Sequence, residues 1–335
     1  MQSLAQELEQ REINHTPLHV EGLHKTHRKP FRKRVVVYFT FFAIALTSFV
    51  ATNKEAKILI NNAQPPVVRK KITSLENQTN NFLADSRLDQ VVEKSLAGTT
   101  STYGIAIKNL KTGENYYHRG DDMFDTASLY KVWIMATTFK QVKEGKLKED
   151  QILEQDVKKL NDTFEIASED AELTEGAVRH TVTDALDKMI TLSDNYSALL
   201  LSHKIGISNV QKFLDEHGLT ESHTGQPPQT TASDMALFFE KLYRGELADD
   251  EYTAKMIDLL KKQKLNDTLP KYLPKHTKMA HKTGQLGYFA HDAGIVYINN
   301  GDYIIAVLSK STSPDDAKDR IANISQVVYN YFQAR

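Results

Sequence analysis

Cysteine is absent from all 335 residues, which excludes disulfides, thiolate catalysis and cysteine-ligated zinc. A surplus of either charge is missing as well. The chain has 42 Lys and Arg against 43 Asp and Glu, a formal net charge of −1. Phosphate binding needs an excess of cations, so no nucleic-acid partner is expected. No internal repeat is visible, and none of the histidines forms a convincing metal site. His15 and His19 stand four apart, but Pro17 lies between them and no carboxylate partner is obvious. What is present is ordinary globular material. Hydrophobic residues make up 40% and charged residues 25%, in a chain long enough for one large domain or two average ones.

One segment departs from that composition. Val35 to Thr52 is a run of eighteen residues with no charge, glycine or proline. At about 1.5 Å per residue it spans roughly 27 Å, close to the thickness of a hydrocarbon core. Lys25, Arg28, Lys29, Arg32, Lys33 and Arg34 precede it, and both signs of charge follow. The positive-inside bias then leaves the N-terminus in the cytoplasm and sends the remainder across. The expected organisation is a cytoplasmic tail over 1–34, a single-pass membrane anchor over 35–52, a Pro65-Pro66-bearing stalk over 53–81 and a globular domain over 82–335. A cleaved leader is the competing reading. The length of the preceding segment and the lack of an A-x-A site favour a retained anchor.

Within the domain, Leu88 to Leu96 suits a helix. Thr102 to Lys108 alternates with Tyr103, Ile105 and Ile107 on one face, as a half-buried strand does. Lys111 to Glu114 supplies a turn, and Asn115 to His118 a returning strand. Ser128 to Lys146 reads as an apolar helix whose breadth implies burial on every side. Glu149 to Lys262 is mostly helical. Gly294 to Ile298 and Tyr303 to Leu308 are β-rich runs joined by Asn299-Asn300-Gly301-Asp302, a strong hairpin signal. Asp316 to Phe332 closes as an amphipathic helix. The pattern predicts an α/β (α+β) fold. An antiparallel sheet is built from both ends of the domain and flanked by helices, with an all-helical subdomain inserted.

Three short motifs occur in order: Ser128-Leu129-Tyr130-Lys131, Ser193-Asp194-Asn195 and Lys282-Thr283-Gly284. Each alone is weak, and Lys111 to Gly113 repeats the third where a turn explains it. Their joint occurrence, with the first opening an apolar helix and the last entering a β-rich stretch, is specific. Over residues 82–335 the chain resembles the class A β-lactamase-like serine hydrolases among the penicillin-recognising enzymes. The resemblance implies a β-lactamase/transpeptidase-like fold with Ser128, Lys131 and Ser193 as catalytic residues. It implies Asn195, Lys282, Thr283, Gly284 and Gln285 as the substrate-binding set, with no metal and no cofactor. Ser128 is the nucleophile, Ser193 a hydroxyl relay to the leaving nitrogen, and Asn195 the partner of the substrate's side-chain amide. Lys282 and Thr283 meet the substrate carboxylate, and the backbone N–H groups of Ser128 and Gln285 form the oxyanion hole. The chemistry agrees with the spacing. Residues i and i+3 share a helix face, so the Lys131 amine can reach the Ser128 hydroxyl. Burial would lower its pKa and let it act as base.

Two departures from the family pattern stand out. Between Gly218 and Thr230 the chain is much shorter than the family's loop and lacks its Glu-x-x-Leu-Asn motif. Glu221 is the one carboxylate in that stretch and is expected at the surface. No arginine follows Lys282 to Gly284 where many relatives place a carboxylate-binding guanidinium; His291-Asp292 stand there instead. The expected substrates are small-molecule β-lactams or D-Ala-D-Ala-type peptidoglycan peptides. A DD-peptidase with slow β-lactam turnover and a non-hydrolytic β-lactam sensor are the alternatives.

Overall fold

Five antiparallel strands, in the order β2-β1-β9-β8-β7, form the central sheet of the computed structural model, which describes residues 87–335. The tail, anchor and stalk expected over 1–81 lie outside the described residues. Among the described residues no helix is long and apolar enough to cross a membrane. Helix α1 (Leu88–Leu96) leads into β1 (Thr102–Asn109) and β2 (Asn115–His118). The chain returns to this sheet with β7 (Lys278–Leu286), β8 (Phe289–Tyr297) and β9 (Tyr303–Lys310), and ends in α9 (Pro314–Gln333).

The expected architecture is therefore present: the first two strands and the last three share one sheet, and β9 pairs with β1 from Thr102↔Lys310 to Asn109↔Tyr303. Side-chain alternation decides which face each residue meets. Tyr103, Ile105 and Ile107 of β1 pack with α1 and α9, while Ala106 faces the helical side. Each fully buried isoleucine contributes about 1.5–3 kcal/mol by leaving water.

The helical side comprises α2 (Lys131–Lys143), α3 (Val157–Thr163), α4 (Val182–Thr191), α5 (Asn195–Ile205), α6 (Ile207–Glu216), α7 (Ala232–Tyr243) and α8 (Asp250–Lys261). Two short ribbons interrupt it. In one, β3 (Phe124–Asp125) pairs with β6 (Gln229–Thr230); in the other, β4 (Ile152–Asp156) pairs with β5 (Ala177–Thr181). These ribbons depart from the mostly helical expectation for the middle of the domain. They are too short to show a periodicity in sequence. Helix α2 is buried from Lys131 through Phe139, as its all-round apolar pattern implies. Its boundaries differ from the single helix expected over 128–146. The first turn, Ala127–Tyr130, is 3-10, and the α-helix ends at Lys143. Ala127 has φ +45, a left-handed conformation that no α-helix continues through, which is why Ser128 stands in a separate turn.

Candidate active site

Three chain segments converge on one cleft of about 230 Å³, lined by Ser128, Ser193, Asn195, Thr283, Gly284 and Gln285 among others. Each arrives by a local device. Ser128 follows the left-handed Ala127, and the Leu129 N–H donates to Thr126 O at 3.0 Å to close the tight turn. Ser193 also has positive φ, +61, and Asp194 caps α5 by accepting from the Ser197 N–H at 2.7 Å. That cap fixes where α5 starts and so sets Asn195 at its first position, facing the cleft. The left-handed Ala127 and Ser193, neither of them glycine, are strain that the surrounding packing must hold.

Lys282 to Gly284 lie on β7, the edge strand, with Thr283 opposite Asp292 and Gly284 opposite His291. Gly284 is the point of closest approach. A Cβ there would stand 2.9 Å from Thr126 O and 3.2 Å from Leu129 Cγ. Only glycine lets β7 pack this tightly on the nucleophile turn.

Both lysines of the motifs are fully buried. Lys131 Nζ donates to Ser193 O at 2.5 Å, Asn195 Oδ1 at 2.6 Å and Ser193 Oγ at 3.3 Å. Lys282 Nζ donates to the same Ser193 Oγ at 2.9 Å and to Thr283 O at 2.8 Å. The hydroxyl of Ser193 thus joins the two amines. Sharing a helix face led to the expectation that Lys131 would reach toward Ser128. Its three acceptors belong instead to the Ser193 segment, whose carbonyl and amide oxygens compete for the ammonium. Burial lowers Lys131 to about 8, against the opposing charges of Asp194 and Glu172. Burial, reinforced by the charge of Lys131, lowers Lys282 to about 7. These are the two groups best prepared to exchange protons near neutrality.

His291 and Asp292, which stand near the place of the missing arginine, supply no cation to the cleft. His291 is completely buried. Its Nδ1 accepts from the Ser309 N–H at 3.0 Å, so Nε2 carries the proton and donates to Asp125 O at 2.9 Å. Burial pushes its pKa down to about 4, so the ring is neutral and serves to tie β3 and the nucleophile turn to the sheet. Asp292 turns to the other face. It accepts from Thr268 Oγ1 at 2.6 Å and the Leu269 N–H at 3.1 Å, and lies 2.9 Å from His281 Nδ1. Lys318 of α9 reaches the cleft rim, where it pairs with Asp267 at 3.0 Å.

Glu221 is exposed, as expected, and its N–H donates to Asp234 Oδ2 at 3.0 Å. It does not line the cleft. A different carboxylate does meet the site. Glu172, on the connection between α3 and β5, accepts from Asn195 Nδ2 at 2.5 Å. Nothing in the motif spacing marks it, because the contact depends on how residues 164–176 loop back. The only signal in the sequence is that Glu165 to Gly176 holds five carboxylates and no Lys or Arg.

Known proteins are similar to this chain over most of the described residues. The model of the β-lactamase enzyme family matches residues 85–332. Beta-lactamase BRO-1 of Moraxella catarrhalis is 27% identical over 221 residues, 62% of this chain and 69% of that protein. Beta-lactamase VEB-1 of Pseudomonas aeruginosa is 27% identical over 271 residues, 72% of this chain and 89% of that protein. Among solved structures, PBP-A superposes with a TM-score of 0.66 at 26% identity, covering 73% of this chain and 96% of that one. A match that runs from before α1 to nearly the end of α9 takes in every element of the cleft, and the chain belongs to the β-lactamase enzyme family as a serine hydrolase of class A type.

Proposed function

We propose that Ser128 is acylated by β-lactams and by D-Ala-D-Ala-type peptides, with Lys131 and Ser193 moving protons and Asn195, Lys282, Thr283, Gly284 and Gln285 holding the substrate. The observation that carries this reading is the convergence of two buried amines on Ser193 Oγ. A neutral amine takes the Ser128 proton as Oγ attacks the carbonyl carbon. The oxyanion so formed faces the N–H groups of Ser128 and Gln285. Collapse breaks the C–N bond, and the leaving nitrogen receives its proton through the Ser193 hydroxyl, which is resupplied from the lysine pair. The remaining ammonium, with Thr283, binds the substrate carboxylate.

A second reading concerns release. Fast hydrolysis of the acyl group needs a base on a water. The short 219–229 segment offers Glu221 alone, and that side chain is exposed outside the cleft. This favours a DD-peptidase with slow β-lactam turnover. Likeness to PBP-A supports it, as does the place of β7 at the edge of the sheet among the described residues, where a peptide can add as a strand.

The same reading takes 35–52 as a retained single-pass anchor, 1–34 as cytoplasmic, 53–81 as stalk and 82–335 as the domain outside. Its support is the basic cluster ahead of eighteen uncharged residues.

Incubating the purified chain with excess benzylpenicillin and following intact mass over time tests both halves. A long-lived adduct on Ser128 supports the peptidase reading, and an adduct that clears while penicilloate accumulates supports a β-lactamase. Absence of any adduct would overturn the proposal.

A further inference from the structure

Asn195 is occupied at both ends in the resting cleft. Its Oδ1 accepts from Lys131 Nζ at 2.6 Å and its Nδ2 donates to Glu172 Oε1 at 2.5 Å. A side-chain amide nitrogen has two N–H donors. One can hold Glu172 while the other meets the amide carbonyl of a substrate's acyl arm. Two acceptors on one nitrogen lie about 4–5 Å apart at ordinary hydrogen-bond lengths. The Glu172 carboxylate therefore borders whatever the acyl arm carries next to that carbonyl.

We propose that Glu172 sets the charge preference of the acyl-arm subsite, favouring an arm that bears an ammonium and disfavouring one that bears a carboxylate. This rests on the acyl-enzyme reading above and adds the class of substrate. The hydrogen bond to Asn195 supplies the geometry. The surrounding loop reinforces its sign, since Glu165, Glu169, Asp170 and Glu175 accompany Glu172 without a Lys or Arg between Glu165 and Gly176. Charges about 5 Å apart at a partly solvated rim change binding by roughly fivefold or more, and reversing the arm's charge reverses the sign. A preference of at least about tenfold follows, equivalent to ~1.4 kcal/mol.

Two penicillins with one bicyclic core and one phenyl ring make the probe. Ampicillin has an α-ammonium next to the arm carbonyl, and carbenicillin has an α-carboxylate in its place. Second-order acylation constants are measured for both, and for benzylpenicillin, at about pH 6, where an α-amino group of pKa about 8 is protonated. Wild type is expected to prefer ampicillin by about tenfold or more. Glu172→Gln keeps a carbonyl oxygen to accept from Asn195 and removes the charge. It is expected to bring the ampicillin-to-carbenicillin ratio to within about threefold, with the constant for benzylpenicillin, whose arm is uncharged, serving as the reference within each variant. Glu169→Gln is the control for the general field of the loop and should keep the wild-type ratio.

An unchanged ratio in Glu172→Gln overturns the proposal, as does an equal change in Glu169→Gln. If wild type forms no adduct with any of the three penicillins, the acyl-enzyme reading fails instead, which is a separate outcome from a flat ratio.

Discussion

A pH window follows from the two lysines that share Ser193 Oγ. Burial holds Lys131 at about 8 and Lys282 at about 7, and the charge of Lys131 disfavours that of Lys282. Groups this close titrate as a pair, losing one proton near 7 and the second near 8. Acylation as proposed needs one neutral amine as base and one ammonium for the substrate carboxylate, so the competent form is the singly protonated pair. Its proton rests mainly on Lys131 in the free cleft, and a carboxylate arriving beside Lys282 draws it across through Ser193 Oγ. With those two values it makes up about 0.6 of the protein at pH ~7.5 and about 0.03 at pH ~5.5 or ~9.5. The second-order acylation constant for benzylpenicillin should therefore peak between about 7 and 8 and fall ~20-fold toward either extreme. On the acid side the extra proton occupies the base, and on the alkaline side the cation is lost. Quenched-flow mass spectrometry across that range measures the profile directly. Lys282→Arg holds the second site permanently cationic, so its alkaline limb should vanish while the acid limb remains. A flat wild-type profile, or a single limb, would refute the assignment of base and cation to this pair.

Two further outcomes are expected. Gly284→Ala places a Cβ 2.9 Å from Thr126 O, and overpacking of this kind costs about 1–3 kcal/mol. The variant should remain folded by circular dichroism yet acylate at least about tenfold more slowly, because β7 is pushed off the nucleophile turn. Full activity would show that the close approach is dispensable. Lys282→Met addresses stability. The unfolded amine titrates near 10.4 and the folded one near 7, so the unfolded chain binds more protons between those values. Stability consequently rises with pH through that window, and the full cost of the buried ammonium is present below about 7. Urea melts at about pH 6 should show Lys282→Met more stable by roughly 1–3 kcal/mol, after the loss of its two hydrogen bonds, with the gain shrinking toward pH ~10. A variant less stable than wild type at pH ~6 would contradict this.

The parts of the fold legible in the sequence are those in which neighbours along the chain carry the signal. Tyr103, Ile105 and Ile107 alternate because they share one face of β1, and the Asn299 to Asp302 turn marks the β8–β9 hairpin because its backbone requirement is local. The three motifs were readable for the same reason, each being a compact run. Contacts between distant segments left no such trace. His291 as the tie to Asp125 spans 166 positions, and Glu172 meets Asn195 only through the path of a loop. Helix spacing alone does not disclose the acceptors of Lys131. Ser128 does lie three residues ahead of it, but the carbonyl of a left-handed Ser193 takes the ammonium.

The strand order has a consequence for when this chemistry can begin. β9 lies between β1 and β8, so a chain that has not yet supplied Tyr303–Lys310 holds only two separate hairpins, β1–β2 and β7–β8. Partners in β1 and β9 stand roughly 200 residues apart, a separation that makes this pairing a late event in folding. Ser128 is synthesised well before the strand that anchors Lys282 to the rest of the sheet. Lys131 and Ser193 can reach the nucleophile from the helical side beforehand, but the strand that carries Lys282 is joined to β1 only when the last strand closes.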